Sequence, residues 1–246
     1  MCIRDRHQDL FGRSQPVVDV VLDPDLARIL RPHQIEGVKF MYEAVTGISS
    51  LEQGHTTPGQ GAILADEMGL GKTLQTIALI ATLLRQNCYF SNIRPGTVEK
   101  VLIVCPLTLV VNWKREFRKW IGRSSIGVLA VEGDGRKEVE RFVSHRQYQV
   151  LILGYERLRN CVQELSRAMP GVGLVVCDEG HRLKSKDTKT TKCFDLLPTR
   201  RRILLTGTPI QNDLREFYTM VDFVYPGLFD QYLSLIHISE PTRQEA

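Results

Sequence analysis

Three continuous apolar runs, Val101-Leu102-Ile103-Val104, Val150-Leu151-Ile152-Leu153 and Leu174-Val175-Val176, restrict the folds open to this chain more than any other feature. A strand that alternates apolar and polar residues covers one face of a core, whereas a strand apolar at every position is buried on both. Helical patterns separate the runs, so each strand returns to the sheet through a helix. Such units pair in parallel through right-handed crossovers. The expected fold class is therefore α/β, a parallel sheet with helices on both faces. In such sheets ligands sit beyond the carboxyl ends of the strands, so the residues that follow each run are the ones to read for chemistry.

The chain in order predicts a strand from Val17 to Leu22, then a short helix from Leu26 to Leu30 with Asp23 as its cap and Pro24 in its first turn. Arg31-Pro32-His33-Gln34 opens the next helix. Strands follow at Gly61 to Ala65, Val101 to Cys105, Ile126 to Val131, Gln149 to Leu153, Leu174 to Cys177 and Arg202 to Leu205. Helices are expected at Thr73 to Leu84, Asn112 to Trp120, from about Arg157, and at Leu214 to Val224. Thr46 to Gln60 and Asn87 to Lys100 read as exposed connections.

Composition narrows the function classes. With 43% hydrophobic and 24% charged residues, a chain of 246 residues can bury the core of one large domain or of a domain and a half. A net charge of +4 permits a nucleic-acid partner without requiring one. The six cysteines are scattered with no C-x-x-C pair, which favours reduced thiols over disulfides or zinc, and Cys105 and Cys177 end apolar runs and should be buried. No apolar run approaches the ~20 residues that span a bilayer. Zinc-hydrolase (H-E-x-x-H), nucleophile-elbow (G-x-S-x-G) and guanine-reading (Asn-Lys-x-Asp) patterns are all missing. Met1 to Arg6 and Leu233 to Arg243 read as translations of a transposase-type sequencing adapter in its two orientations. Residues 1–6 and 233–246 are accordingly expected to be non-native tails, leaving residues 17–232 as one lobe.

Gly61-Ala62-Ile63-Leu64-Ala65-Asp66-Glu67-Met68-Gly69-Leu70-Gly71-Lys72-Thr73 has the order of parts of a phosphate-binding loop: apolar strand, glycine-bearing turn, then Lys-Thr at a helix start. Backbone N–H groups and the positive helix end face an anion, the lysine reaches the outer phosphates and the hydroxyl holds Mg²⁺. The general pattern has glycine six positions before the lysine, and this chain has Asp66 there. Leu174-Val175-Val176-Cys177-Asp178-Glu179 delivers two adjacent carboxylates from a buried strand, the order of a Walker B element. Asp178 would hold Mg²⁺ and Glu179 would polarise the attacking water. Read alone, the pair also suits the cap of a following helix. Leu205-Thr206-Gly207-Thr208-Pro209 is a third polar strand end, either a tight turn or a sensor of the catalytic carboxylate or of a nucleic-acid backbone. Cys105-Pro106-Leu107-Thr108 is a fourth, where Thr108 meets phosphate or an Asn112-capped helix simply buries Trp113.

Together "RPHQ", "DEMGLGKT", "CPLTLVVNW", "DEGHRLK" and "LTGTPIQN", in this order, resemble the first motor lobe of the SWI/SNF family of superfamily-two ATPases, from about Val17 to Phe229. Asp66 at the first loop position is what that family shows. "LRPHQIEGVKFMYEAVTG" and "LTGTPIQNDLREFY" are most similar to its homologous-recombination branch, the Rad54/Rad54B-like translocases. The resemblance implies a RecA-like lobe that binds ATP and Mg²⁺ and moves along double-stranded DNA in the nucleus, with a recombinase filament or nucleosomes as partners. Gln34 would read adenine with Arg31 nearby, although the two also suit an ordinary helix start. The loop Asp66, Glu67, Met68, Gly69, Leu70, Gly71, Lys72 and Thr73 would hold the nucleotide, with Lys72, Asp178 and Glu179 catalytic and Thr73 and Asp178 on the metal. His181, Thr206 and Thr208 would transmit nucleotide state, and Thr108, Asn112 and Tyr155 would contact the duplex backbone. Lys184, Lys186 and Lys189 read as a solvated basic face.

The family's transition-state arginines lie on a second lobe, which no residue after Leu205 resembles, so this chain alone should bind ATP–Mg weakly and barely hydrolyse it. Two alternatives are a chromatin-remodelling ATPase of the same family and a nucleotide-gated DNA-binding module with little hydrolysis.

Overall fold

Along β4 (Lys100–Cys105) successive side chains point to opposite faces, so Val101, Ile103 and Cys105 enter one core while Leu102 and Val104 enter another. The same division runs through β6 (Tyr148–Gly154) and β7 (Val172–Cys177), where Val150, Ile152, Leu174 and Val176 face one side and Leu151, Leu153, Val175 and Cys177 the other. The computed structural model describes residues 6–8, 14–16, 18–48, 59–88, 96–122, 125–180, 183, 189–207 and 214–229. Among these, a six-stranded sheet has the order β3 (Ala62–Leu64), β8 (Arg202–Leu205), β7, β4, β6, β5 (Gly127–Ala130), and every neighbouring pair is parallel. The α/β class expected from the apolar runs is the class found.

One face carries α2 (Pro32–Thr46), α3 (Lys72–Arg85) and α4 (Leu107–Ile121). Helix α3 is buried at every position from Leu74 to Leu84, as expected of a helix apolar nearly all round and packed between sheet and helices. The other face carries α5 (Arg136–Ser144), α6 (Tyr155–Leu165), α7 (Lys189–Asp195) and α8 (Leu214–Val224). The short α1 (Pro24–Ala27) is capped by Asp23, whose Oδ1 accepts the Asp25 N–H at 3.0 Å. A separate antiparallel pair joins β1 (Arg6–Gln8) to β2 (Ser14–Pro16).

Some boundaries differ from expectation. Residues 18–22 form no strand; the backbone of Val21 is held on both sides by the Gln86 amide and the Val18 N–H donates to Cys88 O. Valine-rich sequence favours extended backbone, but a strand also needs a neighbouring edge. Helix α4 starts at Leu107, five residues before Asn112, because Pro106 presets the entry angle and serves as N-cap. Asn112 therefore lies inside the helix, its Oδ1 accepting Arg115 Nη2 at 2.7 Å. Helices α5 and α7 were not foreseen, since Arg136 to Ser144 buries only Val139 and Phe142. Residues 1–5 and 233–246 of the expected tails lie outside the described residues, as do His181, Thr208, Lys184 and Lys186.

A candidate active site at the carboxyl edge of the sheet

The loop after β3 turns through two glycines in the left-handed region, Gly69 at φ 88° and Gly71 at φ 84°. At Gly71 a Cβ would also fall 2.3 Å from Gln34 Nε2, so this position needs glycine for space as well as for conformation. Gln34 is itself tied down: its Oε1 accepts the Arg31 N–H at 2.9 Å and its Nε2 donates to Leu70 O at 3.0 Å. The start of α2 thus clips the loop by one side-chain amide, while Arg31 is exposed beside it. Met68 and Leu70 are exposed, and Thr73 is half-buried in the first turn of α3.

Lys72 Nζ donates to Asp66 O at 2.6 Å and to Glu67 O at 3.0 Å, folding the ammonium back over its own loop. Asp66, where the general pattern has glycine, accepts Gln75 Nε2 on Oδ2 at 3.0 Å. A carboxylate at that position therefore anchors the loop to the second turn of α3, a contact glycine cannot make.

Two strands away, β7 delivers Asp178, whose N–H donates to Val104 O at 2.8 Å and so continues the sheet. Both carboxylate oxygens are engaged: Oδ2 accepts Trp113 Nε1 at 2.8 Å and Oδ1 accepts the Glu179 N–H at 2.9 Å. The Tyr155 hydroxyl donates to Asp178 O at 2.7 Å. Burial raises the Asp178 carboxyl above the usual range, opposed by the Trp113 and Glu179 N–H donors, and the Lys72 ammonium acts on it from across the edge. The loop lysine and the acidic strand end lie at the same edge of the parallel sheet, with β8 between their strands. Glu179 has φ 54°, the only non-glycine residue with positive φ among the described residues. A side chain held in that region costs on the order of 1–2 kcal/mol.

Strand β8 lies between them. Thr206 is buried, with its N–H on Leu64 O at 3.1 Å. A Cβ on the next residue, Gly207, would lie 2.9 Å from Met68 Cγ and 3.6 Å from Lys72 Nζ, so this strand end packs directly on the loop. Further along the edge Thr108 is exposed and Asn112 half-buried, both on α4. Tyr155, grouped with them in the sequence, is only 9% exposed and its hydroxyl is committed to Asp178, so it lies beneath the surface. The bonds from Trp113, Tyr155, Gln75 and Gln34 were not foreseen as contacts. Each joins residues distant in the chain, or a side chain to a backbone group, and no spacing reports that.

Among the described residues no group of three or more His, Cys, Asp or Glu side chains is placed to hold a metal. Asp178 and Thr73 are the carboxylate and hydroxyl that would hold a Mg²⁺, an ion that commonly takes its remaining oxygens from phosphate and water.

Residues 33–237 match the SNF2-related domain. The chain belongs to the SNF2-related family. Among SNF2-related proteins it is 43% identical, over 245 aligned residues, to the DNA repair and recombination protein RDH54 of Saccharomyces cerevisiae, covering 88% of this chain and 26% of that one. It is 49% identical over 223 residues to the DNA repair and recombination protein RAD54B of Gallus gallus (90% and 23%). With its Homo sapiens counterpart the identity is 47% over 235 residues (95% and 24%). The chain thus spans about a quarter of the length of these relatives. Among solved structures it resembles the Sulfolobus solfataricus SWI2/SNF2 ATPase core in complex with dsDNA, with TM-score 0.62 and 28% identity, over 86% of this chain and 40% of that one. The sheet and helices are those of a RecA-like SNF2 lobe.

Proposed function

We propose that this chain is the ATP-binding lobe of a double-stranded DNA translocase that acts in homologous recombination and repair in the nucleus. One observation supports the nucleotide part: β8 lies between β3 and β7, and its end at Gly207 packs against the Met68–Lys72 loop, so the lysine loop and the Asp178 strand end open onto one carboxyl edge of the sheet. The names of the RDH54 and RAD54B relatives support the recombination part, and the duplex bound to the Sulfolobus ATPase core supports the DNA part. A recombinase filament is the partner this reading implies.

In this reading Lys72 leaves the Asp66 and Glu67 carbonyls to meet the β- and γ-phosphates, and the backbone N–H groups around Gly69 and Gly71 cradle them. Thr73 and Asp178 would hold Mg²⁺, which neutralises charge on the phosphate oxygens. Glu179 orients the attacking water. Gln34 reports adenine to the loop through its bond to Leu70 O. Positive charge at the transition state is worth about 10³–10⁵ in rate when an arginine supplies it, and this lobe receives it from a second lobe. No helix among the described residues is long and apolar enough to cross a membrane.

The test is ATP–Mg binding by this chain and its Lys72→Ala variant. Loss of the charge-assisted contacts at about 1.5–3 kcal/mol should weaken binding roughly 10- to 150-fold. Equal affinity in the two proteins, or turnover by this chain alone matching a two-lobe motor, overturns the reading.

A further inference from the structure

Gln75 on α3 is wholly buried, and the two ends of its amide are treated unequally. Nε2 donates to Asp66 Oδ2 at 3.0 Å, whereas Oε1 has no hydrogen-bond partner among the described residues. Oε1 abuts α2 instead: a Cβ on Gly37 would fall 2.0 Å from it, so the glycine leaves the space that the amide oxygen fills. Turning the amide over would set Oε1 against the Asp66 carboxylate, acceptor against acceptor, so the bond to Asp66 fixes the orientation. A buried acceptor left unmatched lowers stability, and a leucine of similar size would avoid that loss. The polar side chain is therefore explained by what it holds and not by the core around it. What it holds is the start of the loop. Asp66 carries the α3 anchor on its side chain and the Lys72 ammonium on its main-chain oxygen at 2.6 Å, with Glu67 O beside it at 3.0 Å.

We propose that Gln75 is a positioning residue for the nucleotide loop: by pinning the Asp66 side chain it holds the Asp66–Glu67 backbone in the shape that carries Lys72. The unmatched oxygen against Gly37 is the stability cost of a loop already shaped for phosphate. This rests on the nucleotide reading above. Asp66 and Gln75 act as one unit. Without the carboxylate the amide has nothing to hold, and without the amide the half-buried carboxylate turns to solvent and the loop loses its anchor. A loop that has to be ordered when ligand arrives gives up affinity that a preformed one keeps.

The test pairs calorimetric titration with ADP–Mg and thermal unfolding, on the unaltered chain and four variants. Gln75→Leu should melt no lower than the unaltered chain yet bind ADP–Mg about tenfold more weakly, the worth of one hydrogen bond. Gly37→Ala reaches the same end from α2: its methyl pushes the amide off Asp66 while alanine favours the helix, so affinity should fall and the melting temperature should hold. Asp66→Gly should bind about tenfold more weakly as well, and adding Gln75→Leu to it should change affinity less than about twofold, because the pair has already been broken. A residue that served only the core would show the reverse, a lower melting temperature with affinity kept. Equal ADP–Mg affinity in Gln75→Leu and the unaltered chain overturns the inference. So does a loss of affinity that comes with a lower melting temperature, or one that multiplies in the double variant. Should Gln75→Leu not fold, Gly37→Ala alone and combined with Asp66→Gly decides in the same way. ADP binding that depends on Lys72 but not on Gln75 sinks only this inference. Absence of ADP binding by the unaltered chain sinks the functional reading and the inference with it.

Discussion

Lys100 is wholly buried at the amino-terminal end of β4, on the edge of the sheet opposite the candidate site. Its ammonium donates to Phe142 O, to His145 O at 3.1 Å and to Tyr148 O at 3.2 Å, and lies 4.5 Å from the centre of the Phe142 ring. It thereby closes the carboxyl end of α5 and the start of β6. Burial lowers its pKa from 10.5 to about 8, with Glu99 opposing. At about 1.4 kcal/mol per pH unit, the buried charge costs about 3 kcal/mol below pH 8. Replacing Lys100 by the unbranched Met removes that cost but leaves three carbonyls without this donor, at about 2 kcal/mol each. The net expectation near pH 7.5 is a loss of about 3 kcal/mol, or about 6–12 °C in melting temperature for a domain of this size. The sign with pH follows from linkage. Between pH 8 and 10.5 the unfolded chain binds more protons at Lys100 than the folded one, so the lysine's contribution rises with pH across that window. The deficit of Lys100→Met should therefore grow with pH across that window. Urea unfolding of both proteins at pH 7.5 and 10, followed by circular dichroism, cancels the other titrating groups. A variant as stable as the parent, or a deficit that shrinks with pH, would refute the assignment of three accepted hydrogen bonds to one buried ammonium.

Glu179→Gly should raise the melting temperature by about 2–4 °C, since relieving the left-handed backbone is worth about 1 kcal/mol, while a two-lobe motor carrying it loses turnover. Glu179→Ala keeps a Cβ in the same conformation and should show no gain in the same thermal scan; an equal gain would mean that the backbone is not strained. Burial pushes the Cys105 thiol up to about 12 and the Cys161 thiol to about 11, and raises Cys177 as well. Brief iodoacetamide treatment at neutral pH, read by peptide mass spectrometry, should label the partly exposed Cys193 first among the described cysteines and spare those three until the chain unfolds.

The fold class was legible because burial on both faces leaves a direct mark: the runs from Val101 to Val104 and from Val150 to Leu153 admit no polar residue, and only a sheet covered twice needs that. The loop Asp66 to Thr73 and the pair Asp178–Glu179 stand out in the sequence because glycine, lysine and carboxylate at fixed offsets are a local pattern, and the structure sets both at one edge of the sheet. The same locality explains what was misplaced. A valine-rich stretch at residues 18–22 fixes backbone preference but not a neighbour, and Asn112 fixes a capping tendency left unused because the helix already begins at Leu107, after Pro106. Only the packed structure decided that β8 lies between the lysine and the acids, that Gln75 occupies Asp66, and that an indole 65 residues away in the chain holds Asp178. Those contacts depend on crossover order and side-chain direction, which the sum of many weak packing terms sets and no single stretch of sequence encodes.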